Sequence, residues 1–171
     1  VVLTGAVGRL IGVEGGAAPL IEKAYDRAIA ALCAEAVGAM QAAFDITLDY
    51  LKTRRQFGVS IGSFQALQHK AVDMLVAIEL AQSMAMIAAR YADVEDATER
   101  AHAISAAKVG IDRSARTVGQ LAVQLHGGIG LTEEYSVGHY YRRLTAIGLS
   151  FGDVHYHLDR IASLSDRAEA A

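Results

Sequence analysis

Residues 28–50 read AIAALCAEAVGAMQAAFDITLDY, and Ile29, Leu32, Ala36, Ala39, Ala43, Ile46 and Tyr50 recur there at steps of three and four. That period places them on one stripe of a helix, because side chains three or four residues apart share a face. The pattern extends over some thirty residues after Pro19, predicting a helix of roughly 50 Å at about 1.5 Å per residue. Pro19 suits its first turn, where the amide it lacks has no intrahelical partner. Gly58 to Gly62 interrupts the pattern. A second stripe, Phe64, Leu67, Ala71, Met74, Ile78, Ala81 and Ala85, follows Ser63 as candidate cap and runs to the polar stretch 93–96. A third helix opens near Asp96 or Thr98, carries Ile104, Ala107, Ile111, Ala115, Val118, Ala122 and Leu125, and stops at Gly127-Gly128. A short fourth helix is expected from Thr132 or Glu134 to about Ile147, and a last one capped by Asp153 to Leu164.

Working outward, the reading is all-α, an antiparallel bundle over residues 19–171. A single proline in 171 residues agrees with it, since long helices exclude proline. Residues 1–18 differ: Val1-Val2-Leu3, Arg9-Leu10-Ile11-Gly12-Val13 and five glycines predict two short strands, a β segment at the N-terminus. Two strands make no independent sheet, so they are expected to be the remnant of a β-domain lying upstream or on another chain.

Composition excludes several classes. With 16 Lys+Arg against 19 Asp+Glu the formal charge is −3, so no nucleic acid partner is expected, and 53% hydrophobic residues exclude a disordered tail. Cys33 is the sole cysteine, which permits no internal disulfide and suggests a reducing cytoplasm. Polar residues interrupt each apolar run, so no membrane span is expected. His155 and His157 lie two apart, on opposite sides of a helix, and cannot easily share an ion, so no metal is expected. The Asp112 and Arg116 pair reads as an ordinary surface contact four residues apart.

Two loop segments carry chemistry. Arg54-Arg55-Gln56-Phe57-Gly58, with Gln65 beyond, offers a guanidinium fork for phosphate, an aromatic face and amides. Gln124-Leu125-His126-Gly127-Gly128-Ile129-Gly130 offers glycines that let a ligand approach the backbone. Read by themselves, both could equally be plain helix-ending loops. His126 could touch a ligand or simply satisfy helix-terminal carbonyls.

At these residues the sequence resembles the acyl-CoA dehydrogenase family, specifically its C-terminal helical domain. The Arg-x-x-Phe-Gly loop, the Gln-x-x-Gly-Gly-x-Gly turn, Thr132-Glu133-Glu134-Tyr135 and the Arg142-Arg143 pair stand in the family's order over about residues 9–164. The resemblance implies α,β-dehydrogenation of an acyl-CoA thioester. It also implies that Arg54, Gln56, Phe57, Gln65, Gln124, His126, Gly127 and Gly128 hold the pyrophosphate and adenosine part of FAD, mostly that of a neighbouring subunit. A homo- or hetero-oligomer with another acyl-CoA dehydrogenase subunit follows. The chain is less than half the family's usual length, which points to a fragment.

The family's base lies in a Tyr-Glu-Gly-Thr-like stretch that here reads Ser150-Phe151-Gly152-Asp153. Phe151 stands where the glutamate belongs, and a phenyl ring accepts no proton. No catalytic residue is therefore assigned. The resemblance then runs closest to small accessory subunits of heteromeric bacterial enzymes, of the pimeloyl-CoA or steroid side-chain type. Two alternatives stand beside it: a catalytic member with a relocated base, Asp153 or Asp26, and a helical oligomerisation module that binds no flavin.

Overall fold

The computed structural model describes residues 2–169, with side-chain surroundings for residues 2–166. Helix α1 runs Ala17–Thr53, a two-residue hairpin joins strands β1 Arg55–Gln56 and β2 Val59–Ser60, and a 3-10 turn at Ile61–Ser63 leads into α2, Gln65–Tyr91. Then come α3 Ala97–His126, a 3-10 turn at Gly127–Leu131, α4 Val137–Leu149 and α5 Val154–Glu169. The protein is an all-α bundle. Helix α3 lies at its centre and packs against the other four helices.

The predicted stripes form the core. Cys33, Ala36, Met40 and Ala43 of α1 are fully buried against Met74, Ile78 and Ala81 of α2 and Ile104, Ala107, Ile111 and Val118 of α3. Alanines at the crossing points let these backbones approach closely, so ridges of one helix fill grooves of the next. Burial also raises the Cys33 thiol to about 12, which leaves it an inert core residue.

The expected β segment at the N-terminus is not formed. Residues 2–13 carry no strand, Val2, Leu3, Val7 and Ile11 are exposed, and Val1 lies outside the described residues. An isolated strand pair has no face to bury here, whereas Arg55–Gln56 and Val59–Ser60 meet across a tight turn, so the hairpin follows α1 instead. Ser63 does not cap α2: its hydroxyl donates to Ser60 O at 2.7 Å and Phe64 holds the cap position. Helix α4 begins at Val137, later than expected, because the chain first winds through the 3-10 turn and the Thr132 hydroxyl donates to Ile129 O. Asp96 does cap α3, accepting from the amides of Thr98 and Glu99. Asp153 accepts from the Tyr156 amide at the start of α5. Helices α1 and α2 reach the length and apolar content of a membrane crossing despite their polar interruptions, yet each turns one face into this bundle.

Two buried ion-pair clusters tie the helices together. Asp26 of α1 is fully buried and accepts from Arg100 Nε of α3 at 3.0 Å and Arg160 Nη1 of α5 at 2.8 Å. Asp112 is likewise no surface residue. It is 7% exposed and bonds the fully buried Lys108, not Arg116.

Candidate functional site

In an antiparallel bundle the end of α1, the start of α2 and the end of α3 meet at one pole, so both chemistry-bearing loops lie there. Tyr50 of α1 stacks on His126 of α3 with ring centroids 4.5 Å apart, and Lys70 of α2 donates to Gln124 Oε1 at 3.3 Å. These contacts join the Arg54–Gln65 segment to the Gln124–Gly128 segment as one face.

The hairpin is built for display. The pairs Arg55–Ser60 and Gln56–Val59 leave Phe57-Gly58 as a two-residue turn with φ of 54° and 82°. Positive φ at both positions suits the twist of paired strands, but at Phe57 a side chain meets the left-handed steric penalty. The ring gains no shelter from the strain: it is 89% exposed, with Phe64 edge-on to it at 6.1 Å between ring centroids. A strained, exposed aromatic is a feature of binding sites more than of packing. Arg55 is spent locally, donating to Gly58 O at 3.0 Å. Among the described residues the side chains of Arg54, Gln56 and Gln65 have no hydrogen-bond partner and are exposed. Gly62 fixes the hairpin on the bundle, since a Cβ there would lie 2.8 Å from Leu51 O.

The second loop divides its labour. Gly127 turns the chain at φ 63°, and a Cβ on Gly127 or Gly128 would meet nothing within 4 Å. Their backbone is open to a ligand. The Gly127 amide itself returns to Gln124 O, so a phosphate here would use other amides of the turn. Gly130 serves packing: a Cβ would stand 2.8 Å from Val123 O. His126 points inward, 3% exposed, with Nδ1 2.7 Å from Ala122 O and its ring between Tyr50 and Tyr135. Burial holds its pKa below the ordinary value, so the neutral ring supports the loop from beneath.

This face suits the nucleotide half of a flavin as a half-site: one free guanidinium, one exposed ring, two free amides and an uncovered glycine turn. Sequence reasoning missed Lys70, whose cation joins the same face. It follows Gln65 by five residues on α2 but belongs to neither motif, and only the crossing of α2 and α3 brings it to Gln124, 54 residues away.

At the opposite pole the loop 150–153 is clamped. Lys108 donates to Gly148 O and Gly152 O, and His157 Nε2 lies 3.2 Å from Phe151 O. His157 Nδ1 lies 3.2 Å from Ser105 Oγ. Burial first, then the Lys108 and Arg160 charges, hold its pKa down at about 4. Phe151 takes φ 57° and meets Tyr25 edge-on at 5.2 Å. Neither alternative carboxylate is free as a strong base. Both oxygens of Asp26 accept arginines, and Asp153, capping α5, is held below the usual carboxylate range by the Tyr156 amide. His155 is exposed while His157 is buried, and among the described residues no cluster suits a metal.

Comparison with known proteins agrees with this architecture. The family described as "Acyl-CoA dehydrogenase, C-terminal domain" matches residues 19–164. Acyl-CoA dehydrogenase FadE34 of Mycobacterium tuberculosis is 38% identical over 96% of this chain, covering 22% of its own length. IpdE2 of the same organism is 36% identical over 69% of the chain and 35% of its length. The chain therefore spans about a fifth to a third of these two relatives. Among solved structures, the Tcur3481-Tcur3483 steroid acyl-CoA dehydrogenase variant superposes with TM-score 0.81 at 31% identity, over 92% of this chain and 42% of that one. PigA with FAD and proline superposes with TM-score 0.79 at 26% identity, over 90% and 39%. With a family match across most of its length and the same bundle in the solved relatives, the chain belongs to the acyl-CoA dehydrogenase family, as its C-terminal helical domain.

Proposed function

We propose that this domain is part of an FAD-dependent acyl-CoA dehydrogenase and serves as an accessory subunit, completing the flavin site of a catalytic partner. The observation that carries the reading is an asymmetry within one chain. The pole formed by Arg54, Phe57, Gln65 and Gln124–Gly128 is equipped and open, whereas the pole at 150–153 has Phe151 in place of a base, and neither Asp26, held by two arginines, nor Asp153, the cap of α5, stands free to replace it. When bound, FAD would supply the hydride acceptor for dehydrogenation. The chain's own residues would then bind and orient. Arg54 and Lys70 would offset pyrophosphate charge, Phe57 would cover a ring, and Gln56 and Gln65 would meet polar edges. Proton removal falls to the partner.

The Tcur3481-Tcur3483 relative, a heteromeric steroid enzyme, supports a mixed assembly and makes a steroid-bearing acyl-CoA a reasonable substrate class. The test is coexpression of this chain with an acyl-CoA dehydrogenase polypeptide that carries the catalytic glutamate. A yellow complex in which Phe151→Glu adds no turnover supports the accessory role. Robust turnover of the Phe151→Glu chain without the partner would show that only the base was missing, and a colourless complex would favour a flavin-free oligomerisation module.

A further inference from the structure

Helix α2 carries two stripes. The inner one, Ala71, Met74, Ile78, Ala81 and Ala88, is buried in the bundle. The outer one, Asp73, Val76, Leu80, Ser83, Ile87 and Arg90, advances by alternate steps of three and four residues, and every member of it is exposed. Such steps repeat every seven residues, the period at which one helix offers a continuous seam to another. Val72 and Met86 flank the seam, and both of them, like Val76 and Leu80 within it, are more than half exposed. An apolar strip of this kind, on a helix whose other face is already packed, marks a contact surface.

The charges at its ends select the occupant. Asp73 opens the seam and Arg90 closes it, and neither has an ion pair among the described residues. A parallel copy of α2 would set Asp73 on Asp73 and Arg90 on Arg90, which repels at both ends. An antiparallel copy, related by a two-fold axis between Leu80 and Ser83, sets Asp73 against Arg90, Val76 against Ile87 and Leu80 against Ser83. The symmetry makes each pairing twice. The seam therefore complements itself in charge and in apolar character over about 26 Å at about 1.5 Å per residue. The small Ser83 side chain leaves room at the axis for Leu80 of the other copy.

We propose that a second copy of this chain docks on the seam, α2 against α2 and antiparallel. The pairing does not depend on the flavin reading. Helix α2 starts at the flavin pole, so antiparallel α2 helices direct the two flavin-binding faces to opposite ends and leave each free for a catalytic partner. Sedimentation velocity of the chain by itself tests the idea, and a species of twice the chain's mass at micromolar concentration is the expected result. Leu80→Glu brings two carboxylates together near the axis and should give a monomer with unchanged helix content by circular dichroism. Asp73→Arg and Arg90→Asp should each weaken pairing about tenfold, because each turns two attractive contacts repulsive, and Asp73→Arg/Arg90→Asp together should restore it. A monomeric wild-type chain, a dimeric Leu80→Glu chain or no rescue in the double exchange would overturn the proposal. So would a chain that is monomeric alone and loses the catalytic polypeptide on Leu80→Glu, since the face would then belong to that polypeptide. Flavin absorbance of the mixed complex reads the other face and leaves this result untouched.

Discussion

Removing the Asp26 carboxylate should unfold the bundle more readily than any surface ion pair would allow. Asp26 is fully buried, and its partners Arg100 and Arg160 have side chains 4% and 20% exposed. Asp26→Ala leaves the Arg100 guanidinium inside the protein with one remaining set of bonds, to Val94 O at 2.6 Å and Glu95 O at 3.4 Å. Breaking one side of a buried pair typically costs about 3–5 kcal/mol, because the stranded charge keeps its desolvation penalty and loses its counterion. Arg160 can swing outward and recover water, which places the expectation toward the lower end of that range. Urea unfolding followed by circular dichroism measures it, with Glu35→Ala as control. Glu35 pairs with Arg143 across α1 and α4, but both side chains are about half exposed, so that loss should stay below about 1 kcal/mol. The double variant Asp26→Ala/Arg100→Met should recover part of the loss, since it removes the stranded charge as well. A loss below about 1 kcal/mol for Asp26→Ala, or no recovery in the double variant, would refute the claim that Asp26 is a structural hub.

Acid stability depends on two buried groups of opposite sign. The folded pKa of His157 is depressed to about 4 from 6.5, so its contribution is present above pH 6.5 and is lost as pH falls through about 4, on the order of 3 kcal/mol in full. Asp112, raised by burial to about 6 from 3.8, does the reverse, contributing most below 3.8 and losing it as pH rises through about 6. Melting temperatures at neutral and acid pH should therefore show His157→Gln losing less stability on acidification than wild type, and Asp112→Asn losing more; parallel curves would contradict both assignments. Phe57→Gly should relieve positive-φ strain, leaving thermal stability equal or higher by about 1 kcal/mol, while flavin retention in the assembled complex falls; retention unchanged would deny the ring a binding role. Gly130→Ala should cost about 1–3 kcal/mol by driving its Cβ against Val123 O, and a neutral melt would show the turn to be more pliable than drawn.

The long helices were legible because burial follows their period: Ile29, Ala36, Ala43, Met74, Ile78, Ile104, Ile111 and Val118 all lie in the core. Asp96 and Asp153 were legible as caps by residue type and place. The strands at residues 1–18 were misread because alternating apolar residues signal a strand only where another element covers them, and none does so here. The hairpin at 55–60 was hidden for the opposite reason. Its turn carries Phe-Gly rather than the Asn-Gly that announces two positive φ angles. Asp112 looked like a surface partner of Arg116 because spacing of four fits either face, and only packing of α4 and α5 over α3 turns it toward Lys108. The two loops of the candidate site could be read as motifs, but their meeting at one pole rests on Tyr50–His126 and Lys70–Gln124, contacts between residues more than fifty positions apart.

The central claim is that Arg54 and the glycine turn hold the nucleotide end of a flavin whose chemistry is driven from another polypeptide. Flavin absorbance per complex, measured after coexpression with an acyl-CoA dehydrogenase polypeptide that carries the catalytic glutamate, tests it most directly. The account predicts a yellow wild-type complex and a marked loss of flavin from an Arg54→Ala complex that assembles normally. Full flavin content in that Arg54→Ala complex would contradict it.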